Sequence, residues 1–271
     1  MKERVSLSGL VSEKSRRRQL YTIAIASGKG GVGKTTVAIN LSLALCRLKQ
    51  KVVLMDGDMG LGNVTFMLGL KGVKFNLEHV IDGEKRLEEI ILEGPEGLLV
   101  IPSGSGVEKL ANLTDPQSST LWSQFKEIEA YGDFLIVDLA AGIADAVVSF
   151  LAASESAVIV TTPGKTAILD AYAILKVLHQ RDATRVPLLF INQYQEESER
   201  TGTSKKLKAV AKQFLGLDLI EIGAMKKDWR VEKALNTQEP FVLKHDKSAI
   251  ARSMYDLGEY FIKASYRLSE K

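Results

Sequence analysis

Cysteine is nearly absent: Cys46 is the only one in 271 residues. A single thiol excludes an internal disulfide and any thiolate metal or iron–sulfur site assembled within one chain, and it points to a reducing compartment. Histidine is almost as scarce. His79, His179 and His245 are scattered, and ordinary surface or helix positions explain them. Aromatic residues make up only 7%. No stretch approaches about 18 uncharged apolar residues, and the N-terminus has no apolar segment of signal-peptide type. Neither a spanning helix nor a secretory signal is therefore expected. The chain is expected in the cytoplasm, with peripheral contact to the inner face of the cell membrane left open.

What is present is apolar bulk. Hydrophobic residues reach 45%, enough for a large core without disulfides or metals. The formal charge is +3, but its distribution says more than its sum. Residues 1–20 hold six bases and two acids, residues 21–200 hold 16 and 22, and residues 201–271 hold 14 and nine. An acidic body lies between two basic ends.

From Tyr21 onward, short runs rich in Val, Ile, Leu and Phe alternate with longer segments of helical period, the pattern of a parallel sheet covered on both faces. Strands are expected at 22–27, 51–55, 97–101, 134–138, 157–161, 186–192 and 218–222, and helices at 34–49, 116–130, 144–153, 166–180 and 204–215. This alternation predicts one α/β domain over residues 21–271, with a mostly parallel twisted sheet of seven or eight strands. Residues 1–20, interrupted by Arg16, Arg17 and Arg18, read as a basic solvated arm. Over 248–268, Ile250, Met254, Leu257, Phe261 and Leu268 fall at roughly helical spacing. No lysine-rich polar face flanks them, so this terminal helix is expected to cover the core rather than lie on a membrane.

Directly after the first expected strand comes Gly28-Lys29-Gly30-Gly31-Val32-Gly33-Lys34-Thr35-Thr36, which satisfies G-x-x-x-x-G-K-[ST] and opens a helix. Glycines let such a loop curl so that backbone N–H groups and the helix N-terminus surround a polyphosphate. Lys34 would reach the β- and γ-phosphates and the Thr35 hydroxyl would sit on Mg²⁺. Lys29 is not needed for that cradle, but a cation there could stretch across to a nucleotide held by another subunit. The second strand ends in Asp56-Gly57-Asp58, where a carboxylate beside the γ-phosphate could orient the attacking water. The run Phe134-Leu135-Ile136-Val137-Asp138 is four apolar residues ending in a carboxylate. Asp138 could hold a Mg²⁺ water, and Leu139-Ala140-Ala141-Gly142 would follow as a flexible tail.

On these motifs the sequence resembles the MinD/ParA class of dimerising P-loop ATPases, whose altered phosphate-loop motif K-G-G-x-G-K-[ST] matches Lys29 to Thr35. The resemblance implies an ATP-sandwiched homodimer in which Lys29 crosses the interface. It assigns water orientation to Asp58, a place near the metal to Asp56, and sensing of the γ-phosphate to a backbone N–H near Gly142. It also assigns reading of the adenine edge to Asn192 and a base-covering loop around Asp228. In that loop Met225-Lys226 replaces the usual Ile-Pro.

Within the class, a single cysteine excludes the cluster-bridging and C-x-x-C branches. Gly60-Leu61-Gly62-Asn63-Val64, Glu93-Gly94-Pro95-Glu96-Gly97-Leu98 and Asp170-Ala171-Tyr172 look like the flagellar-number regulators, the FlhG, FleN or YlxH family. The partners this implies are an FlhF-type GTPase, flagellar C-ring proteins or a flagellar transcription activator, together with a membrane surface. Residues 1–20 contain no D-Q-A-x-x-L-R element, the family's usual GTPase-stimulating segment.

Two other readings compete. A partition ATPase could bind DNA through Lys205, Lys206, Lys208 and Lys212, but solvated lysines on a helix are commoner than a DNA site, so DNA is not the expected partner. A metabolite-activating enzyme would need a substrate-pocket motif, and none stands out.

Overall fold

The structure is a computed structural model that describes residues 20–58, 63–102, 128 and 131–269. Eight strands form one sheet: β1 (Tyr21–Ser27), β2 (Val52–Gly57), β3 (Leu92–Glu93), β4 (Leu99–Ile101), β5 (Phe134–Ala141), β6 (Ser156–Thr161), β7 (Leu188–Tyr194) and β8 (Ile220–Lys226). Their order is β3-β4-β2-β5-β1-β6-β7-β8, parallel throughout except that β3 runs antiparallel to β4 at one edge. All seven expected strands are there. The eighth, β3, is two residues long, too short to leave an alternating signal.

The strands read as unbroken apolar runs because both faces of the sheet are covered. Within β1, Ile23 and Ile25 join one core layer while Ala24 and Ala26 join the other. Strand β2 divides in the same way, Val52 and Leu54 against Val53 and Met55.

On the described residues, one face carries α1 (Lys34–Arg47), α2 (Asn63–Met67), α7 (Trp229–Thr237), α8 (Phe241–Lys244) and α9 (Ala249–Ser269). The other carries α3 (Leu77–Ile81), α4 (Asp145–Ala153), α5 (Lys165–Arg181) and α6 (Glu197–Leu215). Helix α1 is buried along nearly its whole length, being sandwiched between the sheet and α9. The expected helix at 116–130 and the arm at 1–19 lie outside the described residues.

Two boundaries moved for physical reasons. Helix α6 starts seven residues before its expected beginning. Its first turn is polar and is nucleated by Glu196, whose side chain exchanges bonds with Glu199 in a reciprocal cap, so no apolar period marks it. Strand β5 continues to Ala141, and Leu139 is fully buried. The tail expected to be flexible is thus largely strand, paired with β1 through Ser27 and Ala141.

Helix α9 packs as its apolar spacing predicts. Ile250, Met254, Leu257 and Phe261 are buried, whereas Leu268 is 50% exposed. Gly258 permits the close approach to α1, since a Cβ there would sit 3.1 Å from Leu48 Cδ1. Phe261 also stacks at a tilt on Tyr21, with centroids 6.5 Å apart, tying α9 to the first strand. Phe261→Ala should therefore destabilise the fold by about 3–5 kcal/mol, and Leu268→Ala by less than about 0.5 kcal/mol. Urea unfolding of the two variants checks this; equal effects would mean that α9 is not docked along this face.

Candidate functional site

The carboxyl ends of β1, β2, β5 and β7 converge on one edge of the sheet, where open α/β folds bind ligands. Strand β1 ends at Ser27, the chain loops over 28–33, and α1 begins at Lys34. Gly31 and Gly33 take φ values of 80° and 85°, a region that side chains avoid. A Cβ on Gly33 would also collide with the Asn192 amide beneath it. The first N–H groups of α1 lack a side-chain cap and face this loop, the usual condition for holding an anion.

Register brings the charged groups together. Asp56 of β2 and Asp138 of β5 are direct partners across adjacent parallel strands, and Ile25 of β1 lies on the other side of Asp138. Lys34 Nζ donates to Asp138 Oδ1 at 2.7 Å and stands 3.9 Å from Asp58 Oδ2. Asp138 is fully buried and Lys34 nearly so, while Asp58 remains 31% exposed. Asp56 is fixed by the N–H groups of Asp58 (3.2 Å) and Val64 (3.3 Å).

Burial raises the Asp138 carboxyl above its ordinary value, opposed by the Lys34 charge and by hydrogen bonds from Lys34 and Thr35. Burial, then the Asp138 charge, pushes Asp56 up to about 6. Three carboxylates thus face one buried ammonium.

The donor set suits a magnesium ion. Asp56, Asp58, Asp138 and the Thr35 hydroxyl are hard oxygen ligands, and Asp138 Oδ2 is buried without a hydrogen-bond partner. Among the described residues no three His, Cys, Asp or Glu side chains form a cage. Magnesium is usually held by one or two carboxylates together with substrate phosphates.

The remaining expected residues fall nearby with different engagements. Lys29 is exposed, and among the described residues its ammonium has no ion pair; its carbonyl accepts from Ser27 Oγ at 3.0 Å. Gly30 and Gly31 are exposed on the loop, Val32 and Thr36 are buried, and Gly28 lies against the Asp170 backbone of α5. Gly142, at φ 109°, donates its N–H to Ser27 O at 2.8 Å, so in this conformation that donor is already used.

Asn192 is buried beneath the loop. Its Nδ2 donates to Val32 O (2.8 Å) and its Oδ1 accepts from Gln193 N (2.9 Å). Asp228 caps α7 through Arg230 N (2.8 Å) and pairs with the Arg230 guanidinium. Sequence reasoning passed over Asn40, whose Nδ2 bonds Thr36 O (2.8 Å) while its Oδ1 accepts from Val242 N (3.0 Å). A polar residue in the middle of an otherwise apolar helix was the available signal. It also passed over Gln193.

The ParA family pattern, described as NUBPL iron-transfer P-loop NTPase, matches residues 19–261. The antiactivator FleN of Pseudomonas aeruginosa is 38% identical over 219 residues, covering 81% of this chain and 78% of its own length. The flagellum site-determining protein YlxH of Helicobacter pylori is 37% identical over 204 residues, 75% of this chain and 68% of its own. Among solved structures, MinD in the MinC:MinD cell division complex of Aquifex aeolicus superposes with a TM-score of 0.74 at 25% identity, covering 90% of this chain and 96% of that one. Cys46 is buried, and burial pushes its thiol up to about 12.

A carboxyl whose folded value is raised binds its proton more tightly in the native state. The stability it contributes is full below its ordinary value of 3.8 and is lost as pH rises through about 6. In nucleotide-free and magnesium-free protein, Asp56→Asn should gain on the wild type as pH rises from 4 to 7, by up to about 3 kcal/mol. Urea unfolding across that range measures it, and a difference independent of pH would overturn the assignment.

Proposed function

The chain belongs to the MinD/ParA family of P-loop ATPases, and on that premise we propose that it is a magnesium-dependent ATPase switch whose ATP-bound form is a homodimer acting on flagellar number or assembly. The observation that carries the reading is the division of labour between two lysines of one loop. Lys34 is buried against Asp138, where it would meet phosphates of its own nucleotide. Lys29 is exposed and without an ion pair among the described residues, free to reach a nucleotide on a second copy.

In this reading residues 28–36 cradle the phosphates, Lys34 neutralises their charge, and Thr35, Asp56 and Asp138 hold the magnesium. The metal, when bound, offsets charge on the β- and γ-phosphates. Asp58, partly exposed beside Lys34, accepts a hydrogen bond from the attacking water and orients it at the γ-phosphorus. Bonding of that water to phosphorus and release of the bridging oxygen yield ADP and phosphate. In the same reading Asn192 would read the adenine edge, and Asp228, which caps α7, would belong to the base-covering segment. A switch of this kind has its output in dimer lifetime rather than in product.

The flagellar assignment rests on the similarity to the FleN and YlxH relatives. Peripheral membrane contact belongs to the same proposal; among the described residues no helix is long and apolar enough to cross a membrane. Of the four lysines of α6 offered for DNA, Lys212 is paired with Asp218 at 2.9 Å, while Lys205 and Lys206 are exposed as on an ordinary solvated helix face.

Size-exclusion chromatography with light scattering, in ATP and in ADP, tests the switch. Wild type should dimerise only with ATP. Asp58→Ala should keep the dimer while turnover falls by about 100-fold or more, and Lys29→Ala should lose the dimer yet still bind ADP. Protein that stays monomeric with ATP, Asp58→Ala included, would sink the proposal. Counting flagella by microscopy in a deletion strain of the source organism tests the cellular role; an unchanged count would remove it.

A further inference from the structure

Between Asn192 and Tyr194, strand β7 has one residue more than the facing part of β8. Asn192 pairs with Met225 and Tyr194 pairs with Lys226 on β8, so Gln193 between them is the extra residue of a bulge. Its φ is 59°, in the left-handed region that residues with a side chain seldom adopt. Bulges beside active sites commonly re-aim a side chain. Here the re-aimed side chain turns onto the phosphate loop, and Gln193 Nε2 donates to Gly31 O at 3.2 Å. A carbonyl only accepts, so the amide nitrogen must be the atom facing it.

The contact does not stand alone. Asn192 Nδ2 holds the next carbonyl, Val32 O, and Asn192 is itself held by the Gln193 N–H. Because a peptide unit is planar and trans, pinning a carbonyl on one side fixes the direction of the following N–H on the other. Holding Gly31 O therefore sets the Val32 N–H, and holding Val32 O sets the Gly33 N–H. Among the described residues neither N–H makes a backbone–backbone hydrogen bond of ordinary geometry.

We propose that Gln193 is a positioning residue of the phosphate loop. The bulge of β7 exists to bring its amide to Gly31 O, so that the Val32 N–H is aimed at the bound polyphosphate before the nucleotide arrives. The proposal rests on the nucleotide-binding reading above and adds a part of the site that the phosphate-loop motif does not contain.

The test uses the full chain and two variants. Gln193→Met keeps the side-chain size and removes the donor, whereas Gln193→Gly removes the donor and also relieves the left-handed backbone. A fluorescent N-methylanthraniloyl-ADP probe with magnesium gives affinity, steady-state turnover gives kcat and KM, and thermal unfolding without nucleotide gives stability. Both variants should bind the probe about three- to tenfold more weakly, the loss of one neutral hydrogen bond. KM should rise with kcat little changed, the sign of an interaction made equally in ground and transition states. Gln193→Gly should show no loss of thermal stability, which separates loop positioning from a structural role. Wild-type affinity in both variants, or affinity loss that tracks the unfolding temperature, would overturn the clamp. Failure of the wild type itself to bind the probe would overturn the nucleotide reading and the clamp together.

Discussion

The buried ion pair between Lys34 and Asp138 is the constraint on which the rest of the site is built. Two charges held 2.7 Å apart in a dry cleft are tolerated only when they stay paired and their other polar atoms find partners. The pair meets the first condition but not the second. Asp138 Oδ2 has no hydrogen-bond partner, and Asp56 sits beside it on the next strand with its own carboxyl pushed up. Such an arrangement contributes little to folding. It makes sense as a receptor for further charge, since a protein selected only for stability would fill this position with apolar side chains.

The fold pays for that site by bracing the element that carries it. Helix α1 leaves the phosphate loop and runs the depth of the core, and side-chain amides and guanidinium groups fasten it at both ends. Asn40 links Thr36 O, in the first turn, to the Val242 N–H of α8. Arg47, at the last turn, bonds Val242 O at 3.0 Å, the Tyr255 hydroxyl of α9 at 3.4 Å and Glu96. One chain of contacts therefore joins the loop that would hold phosphate to the helix that closes the domain. A shift of α1 by a fraction of an ångström cannot be absorbed locally, because close-packed interiors transmit strain.

Much of this was legible in the sequence, and the limits are physical. The strands and the long helices were readable because burial on both faces writes continuous apolar runs, and because Gly31, Gly33, Lys34 and Thr35 leave few alternatives at a strand-to-helix turn. The sheet order was not readable in residue detail. It takes the observed register to show that Asp56 lies directly against Asp138 rather than merely near it. The short helices α2, α3 and α8 were missed because four or five residues give too little periodicity, and the nine-residue α7 because none of its residues is fully buried. Asn192 illustrates a subtler limit. Expected to end its strand, it lies two residues short of the end of β7 at Tyr194, and in this conformation both of its polar atoms are used within the protein, on Val32 and Gln193. Gln193 left no mark at all, since a bulge is a mismatch between two strands and is written in neither one alone.

The charge balance explains why nucleotide and metal should act as a unit. Lys34 is the only cation within the buried part of the described site, and it is already committed to Asp138. Turned toward a phosphate, Lys34 would leave Asp138 uncompensated, a change that typically costs about 3–5 kcal/mol. A second positive charge must replace it, and the orphaned Asp138 Oδ2 marks where that charge, or a water bound to it, is wanted. Phosphate alone would add negative charge to a site that already holds three carboxylates, whereas a metal–phosphate pair satisfies Asp138 and frees Lys34 together. In the proposed dimer the exposed Lys29 would meet the outward phosphate oxygens, which the first subunit's buried cation would not reach. In the proposed function the chain's acidic body and its two loop lysines belong to one device: the site is short of positive charge, which the metal that comes with the nucleotide and the Lys29 of a second copy would supply.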